Sequence, residues 1–274
     1  MPRGRVTLAV VATAASLLGL GTAAVVRGAV RPSPAVPHPA AAYQVVLRQP
    51  GPEPAYRRSG VPACEQELGP ARPRLVAVGA SFTAGVGSGP GRSWAVLLAR
   101  RLAWDAVVYG VPGAGYVRPG AHREGPVLAE VDRVGLSALK PSLVIVQAGH
   151  DDIGVPPELE RQRVELAIAA IRAAAPRARI VLLTVFAGRS PAAAADRTDR
   201  AIVTAARAAD RAVIIIDPLA GGWRFPHVRD GLHPTAAGSA WIAAQVAAVL
   251  REHGIRPAPA PATGRPGAIV CDHA

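Results

Sequence analysis

Five stretches of continuous apolar residues recur along the chain, and segments that mix apolar and polar residues separate them. Uninterrupted apolar runs are typical of strands whose two faces are both covered, whereas a half-exposed strand would alternate apolar and polar positions. Strands that alternate with helices in this way predict a parallel sheet between two helical layers. The predicted strands are residues 74–79, 106–110, 143–149, 179–186 and 212–217.

The segments between these runs carry signals for helix starts. Pro157 with Glu158 and Glu160 places a proline and two acids in a first helical turn, where the helix dipole favours negative charge. Pro191 and Pro234 begin two further helical segments in the same way. The predicted helices are residues 93–102, 127–139, about 156 onward, 191–209 and 234–250.

Proline-rich segments at both ends of the chain flank a single predicted domain. One α/β domain of ordinary size accounts for the alternating segments, and the flanking segments lack the apolar residues of a core. The predicted organisation is a basic N-terminus (1–5), an apolar segment (6–26), a stalk (27–73), the α/β domain (74–252) and a proline-rich tail (253–274).

Residues 6–26 contain no charged side chain. As an α-helix, with a rise of ~1.5 Å per residue, this segment would be about 31 Å long, enough to cross a bilayer core. A cleaved signal peptide is the alternative, with Thr22, Ala23 and Ala24 as small residues for a peptidase. The run exceeds the usual ~7–15-residue signal core, which favours an uncleaved anchor. We therefore expect a single-pass membrane protein, or a secreted one if the segment is cleaved.

The chain has only two cysteines, Cys64 and Cys271, and they flank the predicted domain. Neither has metal-ligand spacing. The sequence predicts one disulfide between them and hence an oxidising, extracytoplasmic compartment, the alternative being two unpaired thiols in the tails.

The net charge of +12 does not indicate nucleic-acid binding. Residues 1–74 carry nine arginines against three glutamates, and residues 75–250 carry nineteen basic against fourteen acidic residues. The basic residues have acidic neighbours, and aromatic residues are too few for a base-stacking surface. Anionic lipid or an acidic wall polymer is the more plausible partner of the basic stalk.

Two short motifs carry candidate chemistry. Ser81 follows the first strand in the turn GASFTAG, and Asp230 and His233 lie three residues apart in DGLHP. A serine hydroxyl is a nucleophile only when a base removes its proton, and an acid orients that base. We predict Ser81 as nucleophile, His233 as general base and Asp230 as its orienting carboxylate.

The chain resembles the SGNH hydrolases, the GDSL-type esterases and lipases, from about residue 75 to 250. Four blocks match in order, each after a predicted strand: GASFTAG at Ser81, VPGAG at Gly113, GHDD at Gly149–Asp152 and DGLH at Asp230. The resemblance implies a flavodoxin-like, three-layer α/β/α fold, here with a five-stranded parallel sheet, and the activity of a carboxylic ester hydrolase without a cofactor.

The same resemblance implies an oxyanion hole made by the backbone N–H groups of Ser81 and Gly113 and by the side chain at position 151. The family has asparagine at that position and this chain has Asp151; Ala80 likewise replaces the family's aspartate. An ionised carboxylate accepts hydrogen bonds but cannot donate one. Three interpretations remain open: a protonated Asp151, a slower enzyme that relies on backbone donors, or donation by His150 instead.

Other polar and aromatic residues near these blocks have competing interpretations. His150, Asp151 and Asp152 invite a metal site, but consecutive residues rarely converge on one ion, and we predict none. Trp223 and Phe225 are candidates, with His150, for lining a substrate pocket, although a loop packed on the sheet edge would look the same.

The leading hypothesis is an extracytoplasmic serine esterase acting on acylated lipid or carbohydrate through an acyl-enzyme. An O-acyltransferase using the same residues, and a non-catalytic glycan- or lipid-binding module, are the alternatives.

Overall fold

The apolar runs form parallel strands in the computed structural model of the protein. The structure describes residues 72–186, 188–259 and 267–271, which belong to one compact unit. The strands are β1 (Arg74–Gly79), β2 (Asp105–Gly110), β3 (Leu143–Gln147), β4 (Arg179–Leu183), β5 (Ile214–Ile216) and β6 (Ala268–Val270).

The sheet has the strand order β5-β4-β3-β1-β2-β6, and every pairing is parallel. Without β6 this is the flavodoxin-like order. The predicted α/β/α fold is therefore confirmed, with six strands where five were expected.

Strand β6 lies within the segment that the sequence assigned to a proline-rich tail. Ala268 pairs with Ala106, and Val270 pairs with Val108 at the edge of the sheet. A three-residue edge strand is held mainly by backbone hydrogen bonds, which any sequence can make, so its side-chain pattern gives little signal. At least residues 267–271 thus extend the domain beyond the predicted boundary at residue 252.

Seven α-helices connect or flank the described strands. The expected helix over 127–139 is divided, because Gly135 between its two parts has a left-handed backbone (φ 69°) that an α-helix does not accommodate. The helices are α1 (Ser81–Ala84), α2 (Trp94–Leu102), α3 (Val127–Arg133), α4 (Leu136–Leu139), α5 (Pro157–Ala174), α6 (Ala192–Ala209) and α7 (Ala236–Glu252).

Two hydrophobic cores lie on opposite faces of the sheet. Alternate residues of β1 face different cores, with Val76 on one side and Leu75 on the other. Helices α3, α5 and α6 cover the first face, and α2 and α7 cover the second. The carboxyl ends of the strands remain uncovered by these layers, which is where ligands bind in such folds.

Several predictions fall outside the described residues. They concern the segment 6–26, nearly all of the stalk 27–73, and Cys64. Among the helices in the part of the chain that the structure describes, none is both long and apolar enough to cross a membrane. Cys271 follows β6 and is buried, but its pairing with Cys64 stays a prediction.

Candidate active site

The turn that carries Ser81 is fixed to the end of a neighbouring strand. Strand β1 ends at Gly79, and Ser81 is the first residue of α1. The Ala80 N–H donates to the Gln147 carbonyl oxygen (3.0 Å), and the Thr83 hydroxyl donates to the Gln147 side-chain oxygen (3.0 Å). The end of β3 therefore holds the serine turn from both sides.

A buried glutamate supports the same turn from the helical layer. Glu130 of α3 is fully buried, and its Oε2 accepts a hydrogen bond from the Gly79 N–H at 2.8 Å. Burial raises the pKa of this carboxyl well above its usual range, which favours the neutral acid. Sequence patterns gave no signal for this residue, since glutamate in a helix is usually exposed.

His233 is presented by a short hairpin-like loop ahead of α7. His227 and Pro234 form an antiparallel bridge, and the Val228 N–H donates to the His233 carbonyl oxygen at 2.8 Å. Pro234 therefore closes this loop, while α7 begins at Ala236 with Thr235 as its N-cap. The loop orients the imidazole toward the serine turn.

The structure brings the three predicted catalytic side chains together. The His233 Nε2 atom is 2.8 Å from the Ser81 Oγ, and its Nδ1 atom is 2.7 Å from the Asp230 Oδ2. The other carboxylate oxygen, Oδ1, accepts the N–H groups of Leu232 (2.8 Å) and His233 (3.0 Å). The hydrogen bond with the His233 side chain, followed by that with the Leu232 N–H, lowers the pKa of Asp230 to about 2. Asp230 is therefore a carboxylate at any ordinary pH.

The candidate oxyanion donors follow three neighbouring strands. Among the hydrogen bonds of the described residues, neither the Ser81 N–H nor the Gly113 N–H has an acceptor. Gly113 adopts a left-handed backbone (φ 79°), which glycine accommodates without strain. Asp151 follows β3, and its Oδ2 atom is buried without a hydrogen-bond partner in the described part of the chain. Burial raises the pKa of Asp151, which favours the protonated carboxyl.

Asp152 holds the loop that contains Gly113. Its carboxylate accepts the N–H groups of Tyr116 (2.6 Å), Val117 (3.2 Å) and Arg118 (3.0 Å). A Cβ atom at Gly115 would lie 2.1 Å from the Asp152 Oδ2 atom, so only glycine fits there. Asp152 thus has a structural role in this loop.

A second acid lies behind that loop. Glu160 of α5 is buried, and burial together with the nearby charge of Asp152 raises its pKa to about 9. Neither of its carboxyl oxygens has a hydrogen-bond partner among the described residues. Glu160 is therefore a neutral acid at pH 7, so the expectation that it carries a negative charge at the start of α5 is wrong; of the two acids in that turn, Glu158 supplies the charge.

The side chains of the GHDD block point to different partners. The His150 Nδ1 atom lies 2.5 Å from the Phe186 carbonyl oxygen, whereas Asp152 binds backbone N–H groups. Within residues 72–186, 188–259 and 267–271, no group of three or more His, Cys, Asp or Glu side chains is arranged to hold a metal ion.

A cavity of about 370 Å³ lies next to the loop that carries His233; Gly231 and Leu232 of that loop line it, whereas Ser81 and His233 do not. Trp223 and Phe225, two of the predicted pocket residues, line it together with Phe186 and Leu232. His150, the third predicted pocket residue, does not line this cavity, but its hydrogen bond to Phe186 places it at the cavity's edge.

Aromatic rings pack between this cavity and the serine turn. Phe82, the neighbour of Ser81, stacks on Phe186 with ring centroids 4.3 Å apart, and Phe225 meets both rings edge-on. The His233 ring lies 5.7 Å from that of Phe82. These are all three phenylalanines of the chain. Sequence reasoning missed Phe82 and Phe186, whose contact joins the ends of distant strands.

Comparisons with known proteins agree with this geometry. The GDSL-like lipase/acylhydrolase family matches residues 77–241, more than half of the 274-residue chain. The matched region contains Ser81, Asp230 and His233. No curated protein compared with the sequence gives a match.

Solved structures share the fold at low sequence identity. TesA has a TM-score of 0.54 at 24% identity, covering 65% of this chain and 98% of that chain. A family two carbohydrate esterase with a carbohydrate binding domain, from Corynascus thermopiles (Myceliophthora fergusii), has 0.53 at 20% identity, covering 68% of each chain. A family two carbohydrate esterase from Clostridium thermocellum, in complex with cellohexaose, has 0.52 at 17% identity, covering 69% of this chain and 67% of that chain.

The family match covers all four sequence blocks from Ser81 to His233, and the resemblance expected from them is confirmed. The chain belongs to the GDSL-like lipase/acylhydrolase family and is a carboxylic ester hydrolase.

Proposed function

We propose that the protein is an extracytoplasmic serine esterase that removes acyl groups from O-acylated carbohydrate. The observation that carries this proposal is the continuous hydrogen-bonded series from Ser81 Oγ through His233 to Asp230, with distances of 2.8 and 2.7 Å. Hydrogen-bond distances of this size allow direct proton transfer between the serine and the imidazole.

Acylation begins when the Ser81 Oγ attacks the ester carbonyl carbon while the His233 Nε2 takes the hydroxyl proton. The tetrahedral intermediate then collapses, the bond to the alcohol oxygen breaks, and His233 returns the proton to the leaving alcohol. Water attacks the resulting acyl-serine in the same way, and the acid is released. Asp230 stays ionised throughout, since its pKa of about 2 lies far below the working range. Its charge stabilises the imidazolium that forms in both half-reactions.

The oxyanion would receive hydrogen bonds from the N–H groups of Ser81 and Gly113 and from the carboxyl group of Asp151. This role requires that Asp151 be protonated, because only the neutral acid has an O–H to donate. The buried, unpartnered Oδ2 atom and the raised pKa both support this form. One oxyanion donor contributes ~10²–10³-fold to turnover in serine hydrolases.

Carbohydrate is favoured over lipid as the acylated substrate for two reasons. The cavity next to the His233 loop is lined by the rings of Trp223 and Phe225, which suit the apolar faces of a sugar ring. Its volume of about 370 Å³ lies at the small end of ligand pockets, ~300–1,000 Å³. The two carbohydrate esterases of similar fold are consistent with this substrate class.

The extracytoplasmic location rests on sequence alone. The uncharged segment 6–26 and the cysteine pair Cys64 and Cys271 support it. Membrane fractionation of cells that make the full-length chain, with and without alkaline extraction, separates an anchored protein from one whose leader is cleaved.

Hydrolysis of 4-nitrophenyl esters from acetyl to octanoyl by the full-length chain in mild detergent tests the esterase. We expect turnover of the short esters and loss of at least about 10³-fold with Ser81→Ala. Equal turnover by parent and variant would overturn the proposal. Adding a sugar acceptor and analysing the products distinguishes hydrolysis from transfer, because transfer yields an acylated sugar in place of the free acid.

A further inference from the structure

The cavity next to the His233 loop has a charge that the esterase mechanism does not use. Arg224 lines it between Trp223 and Phe225 in the sequence, and His227 lines it too. None of the residues that line this cavity is an aspartate or glutamate. The lining therefore combines aromatic rings with basic groups.

The Arg224 guanidinium has no salt bridge or hydrogen bond within the described residues, and its side chain is exposed. The carboxylates nearest in sequence already have partners. Asp230 binds the His233 side chain, and the Asp217 Oδ1 accepts the Ala220 N–H at 2.8 Å. Arg224 is thus available to an anion that enters the cavity.

A second basic group packs against the cavity lining. A Cβ atom at Gly231, which lines the cavity, would lie 2.5 Å from the Arg189 Nε atom. Arg189 makes no salt bridge in the described part of the chain, and its one hydrogen bond goes to the Arg229 carbonyl oxygen. A negative group in the cavity would be attracted by both arginines.

We propose that this cavity binds a sugar ring that carries an anionic substituent, a carboxylate or a phosphate, and that Arg224 pairs with that anion. The inference rests on the proposed esterase function and narrows its substrate class to acidic carbohydrate. The aromatic side chains contact the faces of the sugar ring. The planar guanidinium binds the anionic substituent through bidentate hydrogen bonds and so selects charged sugars over neutral ones.

The test compares three acetyl esters that differ in one substituent: an O-acetylated methyl glucoside, the corresponding glucuronoside, and the corresponding glucoside 6-phosphate. The full-length parent should show a higher kcat/KM for one or both anionic esters than for the neutral ester, by about 3- to 10-fold. Which anion is preferred identifies the substituent. The ratio should fall to about one with Arg224→Gln and below one with Arg224→Glu.

Arg207→Gln is the matched control, because it removes the same charge from the exposed far end of α6. It should leave the ratio as in the parent. A parent ratio of one, or a ratio that Arg224→Gln and Arg207→Gln change equally, would overturn the inference while leaving the esterase intact.

A binding measurement tests the preference for an anionic sugar even if no ester is hydrolysed. Calorimetric titration of Ser81→Ala with methyl glucuronoside, methyl glucoside 6-phosphate and methyl glucoside should show tighter binding of an anionic sugar, and Arg224→Gln in that background should abolish the difference. Equal binding of all three sugars would contradict the proposal.

Discussion

The His233 Nε2 atom lies 2.8 Å from the Ser81 Oγ across a sequence separation of 152 residues. Two separately stabilised turns produce this contact, one held by Gln147 at the end of β3 and the other closed by the His227–Pro234 bridge. Because proton transfer depends on that distance, small displacements of either turn should reduce turnover before they unfold the domain.

Replacing the orienting carboxylate should impair turnover without disrupting the loop. Asp230→Asn keeps the size of the side chain but removes the charge that stabilises the imidazolium, and we expect kcat to fall by about 10²–10⁴-fold. The pKa of Asp230 is depressed to about 2, so its ionised pair with His233 is complete above the unfolded value of about 3.9 and is lost only as pH falls through about 2. The acid limb of the parent's kcat/KM profile should therefore contain no ionisation of the Asp230 carboxyl above pH 3. An ionisation in that limb that disappears with Asp230→Asn, or normal kcat in the variant, would be inconsistent with this role.

Restoring an amide at the oxyanion position should change the pH dependence of activity. Burial raises the pKa of Asp151, so the neutral carboxyl that donates to the oxyanion is lost as pH rises through that raised value. Asp151→Asn donates at every pH. We expect the ratio of kcat/KM, variant over parent, to increase toward alkaline pH, approaching about 10–10³-fold once the parent carboxyl is ionised. A ratio that does not increase with pH over the range in which both proteins stay folded would contradict the ionisation of a donating carboxyl at position 151.

The loop that carries Gly113 should tolerate no side chain at position 115. In Gly115→Ala the added Cβ would lie 2.1 Å from the Asp152 Oδ2 atom, so the loop must move, at a cost of about 1–3 kcal/mol. We expect a lower melting temperature and a larger proportional loss of kcat. Gly91→Ala is the control, since a Cβ there meets nothing within 4 Å. If both variants show the same melting temperature and the same rate of ester hydrolysis, the contact between Asp152 and this loop contributes neither to stability nor to turnover.

Glu160 should make the folded protein less stable as pH rises. Its pKa of about 9 in the folded protein exceeds the ordinary glutamate value of 4.5, so the stabilisation is complete below about pH 4.5 and decreases as pH rises toward 9. From about pH 5 to pH 7.5 the parent should lose on the order of 3 kcal/mol through this group. Glu160→Gln cannot ionise and should lack that part of the slope. Urea unfolding of both proteins across this range measures the difference, and parallel slopes would show that Glu160 is ionised in the folded state.

The strands and the acid–base pair were predicted correctly because each depends on a pattern within one short segment of the sequence. The strands β1 to β5 are covered on both faces, so their apolar runs were unambiguous, and the short spacing from Asp230 to His233 already placed an acid beside a base. The family blocks follow strands because the carboxyl ends of a parallel sheet meet at one edge.

The remaining features depend on contacts between distant segments. Glu130 and Glu160 are buried acids, and nothing in their helices distinguishes them from exposed ones before the fold is known. The stacking of Phe82 on Phe186 and the available charge of Arg224 likewise arise only when separate loops meet beside Ser81. Strand β6 was missed because a short strand at the edge of a sheet is held mainly by backbone hydrogen bonds and needs no particular side-chain pattern.

Labelling with a fluorophosphonate tests whether Ser81 is a nucleophile activated by His233. The reagent phosphonylates a serine whose proton a neighbouring base removes, and peptide mass spectrometry locates the adduct. We expect stoichiometric modification of Ser81 in the full-length parent and, with His233→Ala, a rate reduced by at least about 10³-fold. An unmodified Ser81, an adduct on another serine, or equally rapid labelling in both proteins would contradict it.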